Sequence, residues 1–157
     1  MKKEVYSAAV RGDTTFLREA QRMDIESITA SYYKDDFLAL TTGEGNNILH
    51  VAALYGQLDF IKEALATFSV ADKKLVICQV NLNGDTPLHL GAKQSTKSIA
   101  ELLVESYRLL LSNDDIRENV PVPWMVRNNK GNTPLHVALI NGGKSIQVAA
   151  YLLDIIT

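Results

Sequence analysis

The amino-acid sequence predicts an all-α solenoid, in which short helical hairpins stack side by side. One stretch recurs in it, as "GNNILHVAAL" from Gly45, "GDTPLHLGAK" from Gly84 and "GNTPLHVALI" from Gly131. Each copy begins with residues that favour a helix start, and apolar residues at helical spacing follow further along. A single hairpin of this kind cannot bury its apolar face alone, whereas several stacked hairpins can.

The first helix of each hairpin has a marked beginning. Asn47, Thr86 and Thr133 are favourable N-cap residues, because their side chains accept hydrogen bonds from backbone N–H groups of the first turn. Pro87 and Pro134 follow directly, at the position where a missing N–H costs nothing. These residues predict helix starts at equivalent places in the repeat.

A glycine marks the end of most first helices. Gly12, Gly56 and Gly142 can take the left-handed conformation that follows a helix end, and Ser95 replaces this glycine in the third repeat. The copy around Gly12, "VYSAAVRGDTTFLREA", is the weakest, and in it Tyr6 stands where the other copies have a histidine. We therefore predict about four repeats, the first of them degenerate.

The repeated stretch resembles the ankyrin repeat, whose signature is T-P-L-H-x-A and whose copies here read "NILHVAA", "TPLHLGA" and "TPLHVAL". The resemblance covers essentially the whole chain and implies one ankyrin domain. Its bounds are residues 1–157, with repeats near residues 1–22, 42–68, 81–112 and 128–157. The histidines lie 39 and 47 residues apart, whereas the usual period is about 33 residues. The surplus predicts long inter-repeat insertions, partly as longer second helices, in residues 21–41, 66–79 and 106–126.

The long insertions and the stretch "QVNLNGDTPLHLGA" are similar to the ankyrin arrays of plant ankyrin–transmembrane proteins. That resemblance implies a membrane domain after the repeats and a link to defence signalling. Within this sequence the apolar stretch 148–156 carries Asp154 and is too short to span a bilayer. We therefore expect an ankyrin domain of a larger protein, with no membrane insertion by this chain.

His50, His89 and His136 could suggest a zinc site, but their regular repetition argues against one. Equivalent positions of stacked helices lie roughly 8–10 Å apart, whereas zinc ligands all lie about 2.0–2.1 Å from one ion. The ankyrin resemblance implies instead that each imidazole is buried at the start of the first helix. There it would bond to backbone groups of the hairpin loop and to its threonine. We predict neither a metal nor a cofactor.

No residue pattern indicates covalent catalysis, so we expect the chain not to be an enzyme. Cys78 is the only cysteine, which excludes an intramolecular disulfide, and its apolar neighbours indicate a small buried residue. The "GGKS" of residues 142–145 lacks the first glycine and the preceding strand of a phosphate-binding loop. It is interpreted as a turn between two helices.

The composition is that of a folded soluble protein without an overall attraction to nucleic acid. The formal net charge is −2, and 46% of the residues are hydrophobic. Lys2 and Lys3 precede no continuous apolar run, so no signal peptide is predicted. We expect a cytoplasmic protein without a nucleic-acid partner.

The remaining candidate for function is a surface. The resemblance implies that partners dock on a concave face formed by the hairpin tips and the outward residues of the first helices. By position these partner-binding residues are Arg11, Leu54, Tyr55, Leu82, Lys93, Gln94, Ile140 and Asn141. Several of them are apolar, and clustered exposed apolar groups mark interaction sites. Neighbouring helices or the long insertions could equally cover them.

Two other features have more than one interpretation. The segment 113–128 either binds a partner or, as we favour, uses Trp124 and Met125 to fill a gap beside a longer second helix. The last helix has no polar outer face and could expose apolar residues that another repeat or a second copy covers. These residues are Val148, Tyr151 and Leu152.

We therefore predict a protein–protein interaction module that binds another protein, or another domain of its parent, through the concave face. One alternative is a regulatory ankyrin segment of a larger membrane-anchored defence-signalling protein. Another is the substrate-recruiting part of an enzyme whose catalytic domain lies outside this chain. The reading frame beyond Thr157 distinguishes them, since a run of about 20 apolar residues would favour the membrane protein. A catalytic signature there would favour the enzyme.

Overall fold

The computed structural model describes residues 1–26, 41–111 and 121–157, and all regular structure in these ranges is helical. The predicted all-α class is confirmed. The α-helices are α1 Lys3–Arg11, α2 Thr14–Glu26, α3 Ile48–Leu54, α4 Leu58–Thr67, α5 Val70–Cys78, α6 Pro87–Lys93, α7 Lys97–Arg108, α8 Pro134–Asn141 and α9 Ile146–Ile156. One 3₁₀ turn, Gly143–Ser145, precedes α9.

The helices form two layers. The inner helices α1, α3, α6 and α8 pack in a row, each against the next. The outer helices α2, α4, α7 and α9 form a parallel row behind them, and each of α3, α6 and α8 packs on the outer helix that follows it. This arrangement is the predicted stack of hairpins. The assignment of residues 1–157 to one domain, and the outer bounds of the repeats, stay predictions.

The predicted helix starts are confirmed. The Asn47 side chain accepts a hydrogen bond from the backbone N–H of His50 at 3.0 Å, and Thr133 accepts from that of His136 at 3.5 Å. Pro87 and Pro134 occupy the first helical positions of α6 and α8. In α3, α6 and α8 the ring Nδ1 of the histidine at the third helical position accepts in turn from the backbone N–H of the N-cap residue.

The helix ends follow the prediction with one exception. Gly12 and Gly56 have φ near +70°, and Ser95 takes the same region with φ 63°, alone among the described residues other than glycine. Ser95 therefore replaces the glycine without changing the backbone. Gly142 has φ 58° but ψ −161°, outside the left-handed helical region, because the 3₁₀ turn follows it directly.

The insertion at residues 66–79 differs from the prediction. Instead of lengthening α4, it forms the separate helix α5, which packs against α6 and α7. Ser69 starts this helix, since its Oγ accepts a hydrogen bond from the backbone N–H of Asp72 at 3.2 Å. α4 ends at Thr67. Most of the predicted insertion 21–41 lies outside the described residues. Residues 112–120, which belong to the third insertion and to the segment 113–128, also lie outside them.

The tryptophan of the third insertion lies where the gap-filling interpretation expects it. Trp124 is half-buried and packs edge-to-face on Tyr107, with ring centroids 6.0 Å apart. Met125 is exposed, so the same interpretation is wrong for this residue. Trp124 alone packs on α7, through Tyr107.

The expected exposure of the last helix is also corrected. Val148 and Leu152 are fully buried, because they lie on the side of α9 that packs against α7 and α8. Tyr151 is half-buried, and its hydroxyl donates to Glu105 at 3.3 Å. Other residues of this end expose apolar surface instead. They are Leu139, Ile146, Leu153 and Ile156.

Candidate protein-interaction surface

Three loop tips precede the inner helices α3, α6 and α8, and a short polar side chain closes each of them. We call residues 42–46 the first tip, 81–85 the second and 128–132 the third. In the second tip the Asn81 Oδ1 accepts from the backbone N–H of Asp85 at 3.0 Å, and the N–H of Asn81 donates to the Asp85 carbonyl at 3.0 Å. The equivalent pairs are Thr42 with Asn46 and Asn128 with Asn132.

Backbone hydrogen bonds join the tips into one row. The N–H of Leu82 donates to the carbonyl of Glu44 at 3.0 Å, and the N–H of Asn129 donates to that of Asn83 at 2.9 Å. Side-chain amides add a second connection between neighbouring tips. These are Asn81 Nδ2 to Asn46 Oδ1 at 2.8 Å and Asn128 Nδ2 to Asp85 Oδ1 at 2.7 Å. The row therefore presents its outward side chains at fixed positions.

Two histidines hold the tips from inside. The Nε2 of His50 lies 2.8 Å from the Asp85 carbonyl, and that of His89 lies 3.0 Å from the Asn132 carbonyl. Each Nδ1 accepts from a backbone N–H at the N-cap, so the proton of the neutral ring is on Nε2 and donates to the carbonyl. Burial lowers the pKa of His50 to about 4 and also lowers the pKa of His89. The structural role predicted for these two residues is confirmed.

His136 occupies the same place in its repeat, but the prediction that it is buried is wrong. Its Nδ1 accepts from the Thr133 N–H at 3.3 Å, as in the other copies. The imidazole is otherwise exposed, and its Nε2 has no partner among the described residues. The physical reason is that no further helical hairpin lies beside α8 and α9 in the described structure.

An open hollow of about 490 Å³ lies between α1, α3 and the first tip. Leu54 and Tyr55 line it, with Tyr6 and Glu44 around them. The hydroxyls of Tyr6 and Tyr55 are 3.4 Å apart, and this hydrogen bond raises the pKa of Tyr6. Leu54 is half-buried, whereas Tyr55 is 47% exposed.

A second hollow of about 370 Å³ lies between α6, α8 and the second and third tips. Leu90, Val137 and Ile140 give it an apolar floor, and Lys93 and Lys130 stand at its edge. Ile140 is 73% exposed. Asn141 also lines this hollow, but its Nδ2 donates to the Lys93 carbonyl at 2.7 Å and to Ser145 Oγ at 2.8 Å.

The structure groups some of the predicted partner-binding residues and separates others. Leu54 and Tyr55 share the first hollow; Lys93, Ile140 and Asn141 share the second. The remaining three are exposed but line neither hollow: Arg11 at the end of α1, Leu82 in the second tip and Gln94 after α6. Sequence reasoning missed Tyr6 as a residue of this surface. Tyr6 could have been found, since it stands at the histidine position of the degenerate first repeat.

Charged groups near the hollows differ in their partners. Glu44 Oε2 accepts from Asn46 Nδ2 at 3.1 Å, and Asp85 accepts from Asn128. Lys3, at the edge of the first hollow, and Lys93 and Lys130, at the second, have no ion-pair partner among the described residues. These three lysines are therefore available to carboxylates of a partner.

The described residues hold no other arrangement that suggests chemistry. No group of three or more His, Cys, Asp or Glu side chains among them could hold a metal ion. Cys78 is half-buried, and burial raises the pKa of its thiol. The predicted "GGKS" turn is confirmed, since the 3₁₀ turn Gly143–Ser145 connects α8 to α9. The Ser145 hydroxyl is buried and donates to the Ala92 carbonyl at 3.1 Å. No helix of the described ranges has the length and apolarity needed to cross a membrane.

The family model described as "Ankyrin repeats (3 copies)" matches residues 8–119, and "Ankyrin repeat" matches residues 130–155. This chain belongs to the ankyrin repeat family. Ankyrin repeats are in general non-catalytic modules that bind protein partners.

Two relatives are longer proteins. The Arabidopsis thaliana protein ACCELERATED CELL DEATH 6 is 27% identical over 111 residues, which are 70% of this chain and 16% of that protein. This similarity confirms the resemblance to plant ankyrin arrays. ANK repeat-containing protein nipk-1 of Caenorhabditis elegans is 37% identical over 82 residues, 52% of this chain and 12% of that protein.

A solved structure supports the fold. A chain in the crystal structure of yeast ribosomal protein Rps3 in complex with its chaperone Yar1 aligns with a TM-score of 0.74. The alignment covers 98% of this chain and 94% of that chain, at 20% sequence identity. This chain therefore has the fold of an ankyrin repeat solenoid.

Proposed function

We propose that this ankyrin repeat chain binds a partner protein through the concave face of its inner helices and loop tips. The observation that carries the proposal is the exposure of Tyr55, Leu82 and Ile140, at 47, 71 and 73%, along this face. Exposed apolar groups that lie together next to hollows are typical of interaction surfaces. Burial of these groups by a partner removes apolar surface from water and so stabilises the complex.

Each of the predicted residues has a place in this proposal. Tyr55 and Ile140 are the apolar anchors, Leu54 forms part of the first hollow, and Leu82 extends the surface to the second tip. The polar and charged members contact the edges of the partner. They are Arg11, Lys93, Gln94 and Asn141. Asn141 contributes least, because its side-chain nitrogen already bonds within the chain.

The charges on this face favour a partner segment with acidic groups beside apolar ones. Lys3, Lys93 and Lys130 lack intramolecular ion pairs, whereas Glu44 and Asp85 already accept hydrogen bonds from asparagines. A carboxylate of the partner would meet cations that have no ion pair among the described residues. Added salt should therefore weaken the complex, because exposed charges are screened.

The proposal is for non-covalent binding in the cytoplasm, without catalysis by this chain. A second candidate is a regulatory segment of a larger protein, and one observation favours it. The chain matches only 16% and 12% of the length of its two relatives. Sequencing the reading frame beyond Thr157 tests this candidate, since a run of about 20 apolar residues would indicate a membrane-anchored parent.

The test of the concave face begins with identification of the partner by affinity capture with the full chain and mass spectrometry. Calorimetry then compares the purified partner's affinity for the wild type, Tyr55→Ala and Ile140→Ala. Each substitution should weaken binding about tenfold, the effect of roughly 1.4 kcal/mol. The melting temperature should show no large drop, because about half of Tyr55 and most of Ile140 are exposed.

Leu75→Ala is the matched control. Leu75 lies on α5, is 57% exposed and lines neither hollow of the concave face. Binding should tolerate this change. Equal losses of affinity for Leu75→Ala and Ile140→Ala would contradict the proposal. A variant with lower stability but unchanged affinity would assign that residue to the core.

A further inference from the structure

The C-terminal end of the stack repeats the features that join one repeat to the next, and no described helix packs beyond them. We propose that this end binds one further ankyrin repeat, carried after residue 157 in the same polypeptide. We call it the terminal face and define it by residues of the third tip, α8 and α9. They are Lys130, Gly131, Asn132, His136, Leu139, Leu153 and Ile156.

Apolar residues of the terminal face are exposed at positions of the last outer helix, α9. Leu153 is 52% exposed and Ile156 is 38% exposed, although the equivalent residues of the two preceding repeats are buried. A repeat that ends a solenoid normally has a polar outer face. The equivalent positions are Leu65, Val104 and Leu153, and then Phe68, Tyr107 and Ile156.

The polar groups of the terminal face also match those that join preceding repeats. The carbonyls of Glu44 and Asn83 accept from the next tip, and Lys130 is the equivalent residue of the third tip. His50 and His89 bond through Nε2 to a carbonyl of the next tip, whereas the Nε2 of His136 has no partner among the described residues. A next tip would supply both an N–H and a carbonyl.

The tip glycines point the same way. A Cβ on Gly84 would lie 2.8 Å from the backbone nitrogen of Asn129, and one on Gly45 would lie 3.1 Å from that of Leu82. The next tip therefore lies directly against these glycines. Gly131 has the same positive φ, but a Cβ there would have no neighbour within 4 Å.

A further repeat fits this face better than a second copy of the chain does. The incoming unit must place a loop tip ahead of its inner helix, because the tip provides the N–H and the carbonyl. In the described residues of a second copy, the second and third tips are already bonded to the preceding tip, and α1 packs against the inner helix that follows the first tip. Two terminal faces against each other would juxtapose carbonyls with carbonyls, which do not bond.

One residue sets a condition on the incoming repeat. Leu139 stands at the position of Ala53 and Ala92, which are fully buried against the next inner helix. Its larger side chain requires a small residue opposite it or a slightly wider spacing. The terminal face therefore selects among ankyrin repeats.

The experiment extends the full chain by one repeat, a second copy of residues 121–157 joined after Thr157. The extension is made in the wild type and in Leu139→Ala, which removes the bulk of that side chain. If the added repeat docks, urea unfolding remains one transition and its denaturant dependence increases, because more surface is buried. NMR should show that the Nε2–H of His136 becomes slow to exchange with water, as in His50 and His89.

Variants measure the coupling between the terminal face and the added repeat. His136→Ala should raise the unfolding equilibrium constant by a factor at least tenfold larger in the extended chain than in the 157-residue chain. Leu75→Ala, on α5 away from this face, should have the same effect in both.

Three results would overturn the proposal. The first is an equal loss of stability on His136→Ala in the extended chain and in the 157-residue chain. The second is an added repeat that unfolds separately in both the wild type and Leu139→Ala. The third is a concentration-dependent dimer of the 157-residue chain, in sedimentation velocity, that Leu153→Ser abolishes.

Discussion

His89 and His136 have the same motif around them and different surroundings. In both, Nδ1 accepts from the backbone N–H of the threonine at the N-cap, at 3.0 and 3.3 Å. His89 is buried and bonds through Nε2 to the third tip, whereas His136 is exposed. The motif therefore determines the start of its own helix, and the next repeat determines whether the histidine is buried.

The same division applies to the apolar residues of the outer helices. Leu65 and Leu153 occupy equivalent positions, but only Leu65 has a following repeat packed over it. In a solenoid, each repeat contributes its own stability and an interface term with its neighbours. The inner repeats have an interface on both sides, and the fourth repeat has an interface on only one side in the described structure.

The largest difference should appear when these two leucines are truncated. Leu65→Ala leaves a cavity in a closed interface and should lower the free energy of unfolding by about 3 kcal/mol. Leu153→Ala removes a half-exposed side chain and should cost less than about 1 kcal/mol. Urea unfolding at pH 7 measures both. Equal costs would mean that residue 153 is covered in solution, for example by a second copy.

Much of the fold could be predicted because its signals are local. Asn47 and Thr133 act as N-caps as expected, and Ser95 adopts the conformation of the glycine it replaces. Each of these effects depends on a few neighbouring residues. The helix α5 was not predicted as a separate helix, because the helical spacing of its apolar residues is weak.

Burial could be predicted less well, because it depends on residues far away in the sequence. The exposure of His136 and the burial of Val148 are set by which repeat lies on each side of α8 and α9. The candidate surface has the same limit. The exposure of Ile140 agrees with its predicted place on the concave face, but the bonds of Asn141 to Lys93 and Ser145 arise from a turn that sequence spacing does not define.

An effect of intermediate size should appear in the pH dependence of the free energy of unfolding, because of the buried histidines. In the unfolded chain His50 takes up a proton near its ordinary pKa of about 6.5, whereas in the folded chain its pKa is about 4. Between these values the unfolded state binds more protons, so stability decreases as the pH falls. From pH 7 to pH 5 the loss from His50 should be about 2 kcal/mol.

His50→Gln tests this effect, because glutamine can cap the helix without titrating. Urea unfolding at several pH values should show a smaller loss between pH 7 and pH 5 in the variant. The remaining loss includes His89, whose pKa is lowered in the same direction. A variant with the same pH dependence as the wild type would contradict the assignment to His50.

The smallest difference should separate two tip glycines. Gly84 and Gly131 have φ of +75° and +78°, so alanine is strained at both by about 1 kcal/mol. At Gly84 the added Cβ would also lie 2.8 Å from the backbone nitrogen of Asn129, which cannot move without breaking the row of tips. Gly84→Ala should therefore cost about 1 kcal/mol more than Gly131→Ala in urea unfolding.

This pair also sharpens the comparison between inner and terminal repeats. In the chain extended by residues 121–157, a docked tip would lie against Gly131 as the third tip lies against Gly84. The cost of Gly131→Ala should then rise to that of Gly84→Ala. If it rises, the stability of an inner repeat comes from its neighbour. If it stays unchanged while the extension folds, the added repeat does not pack on the third tip.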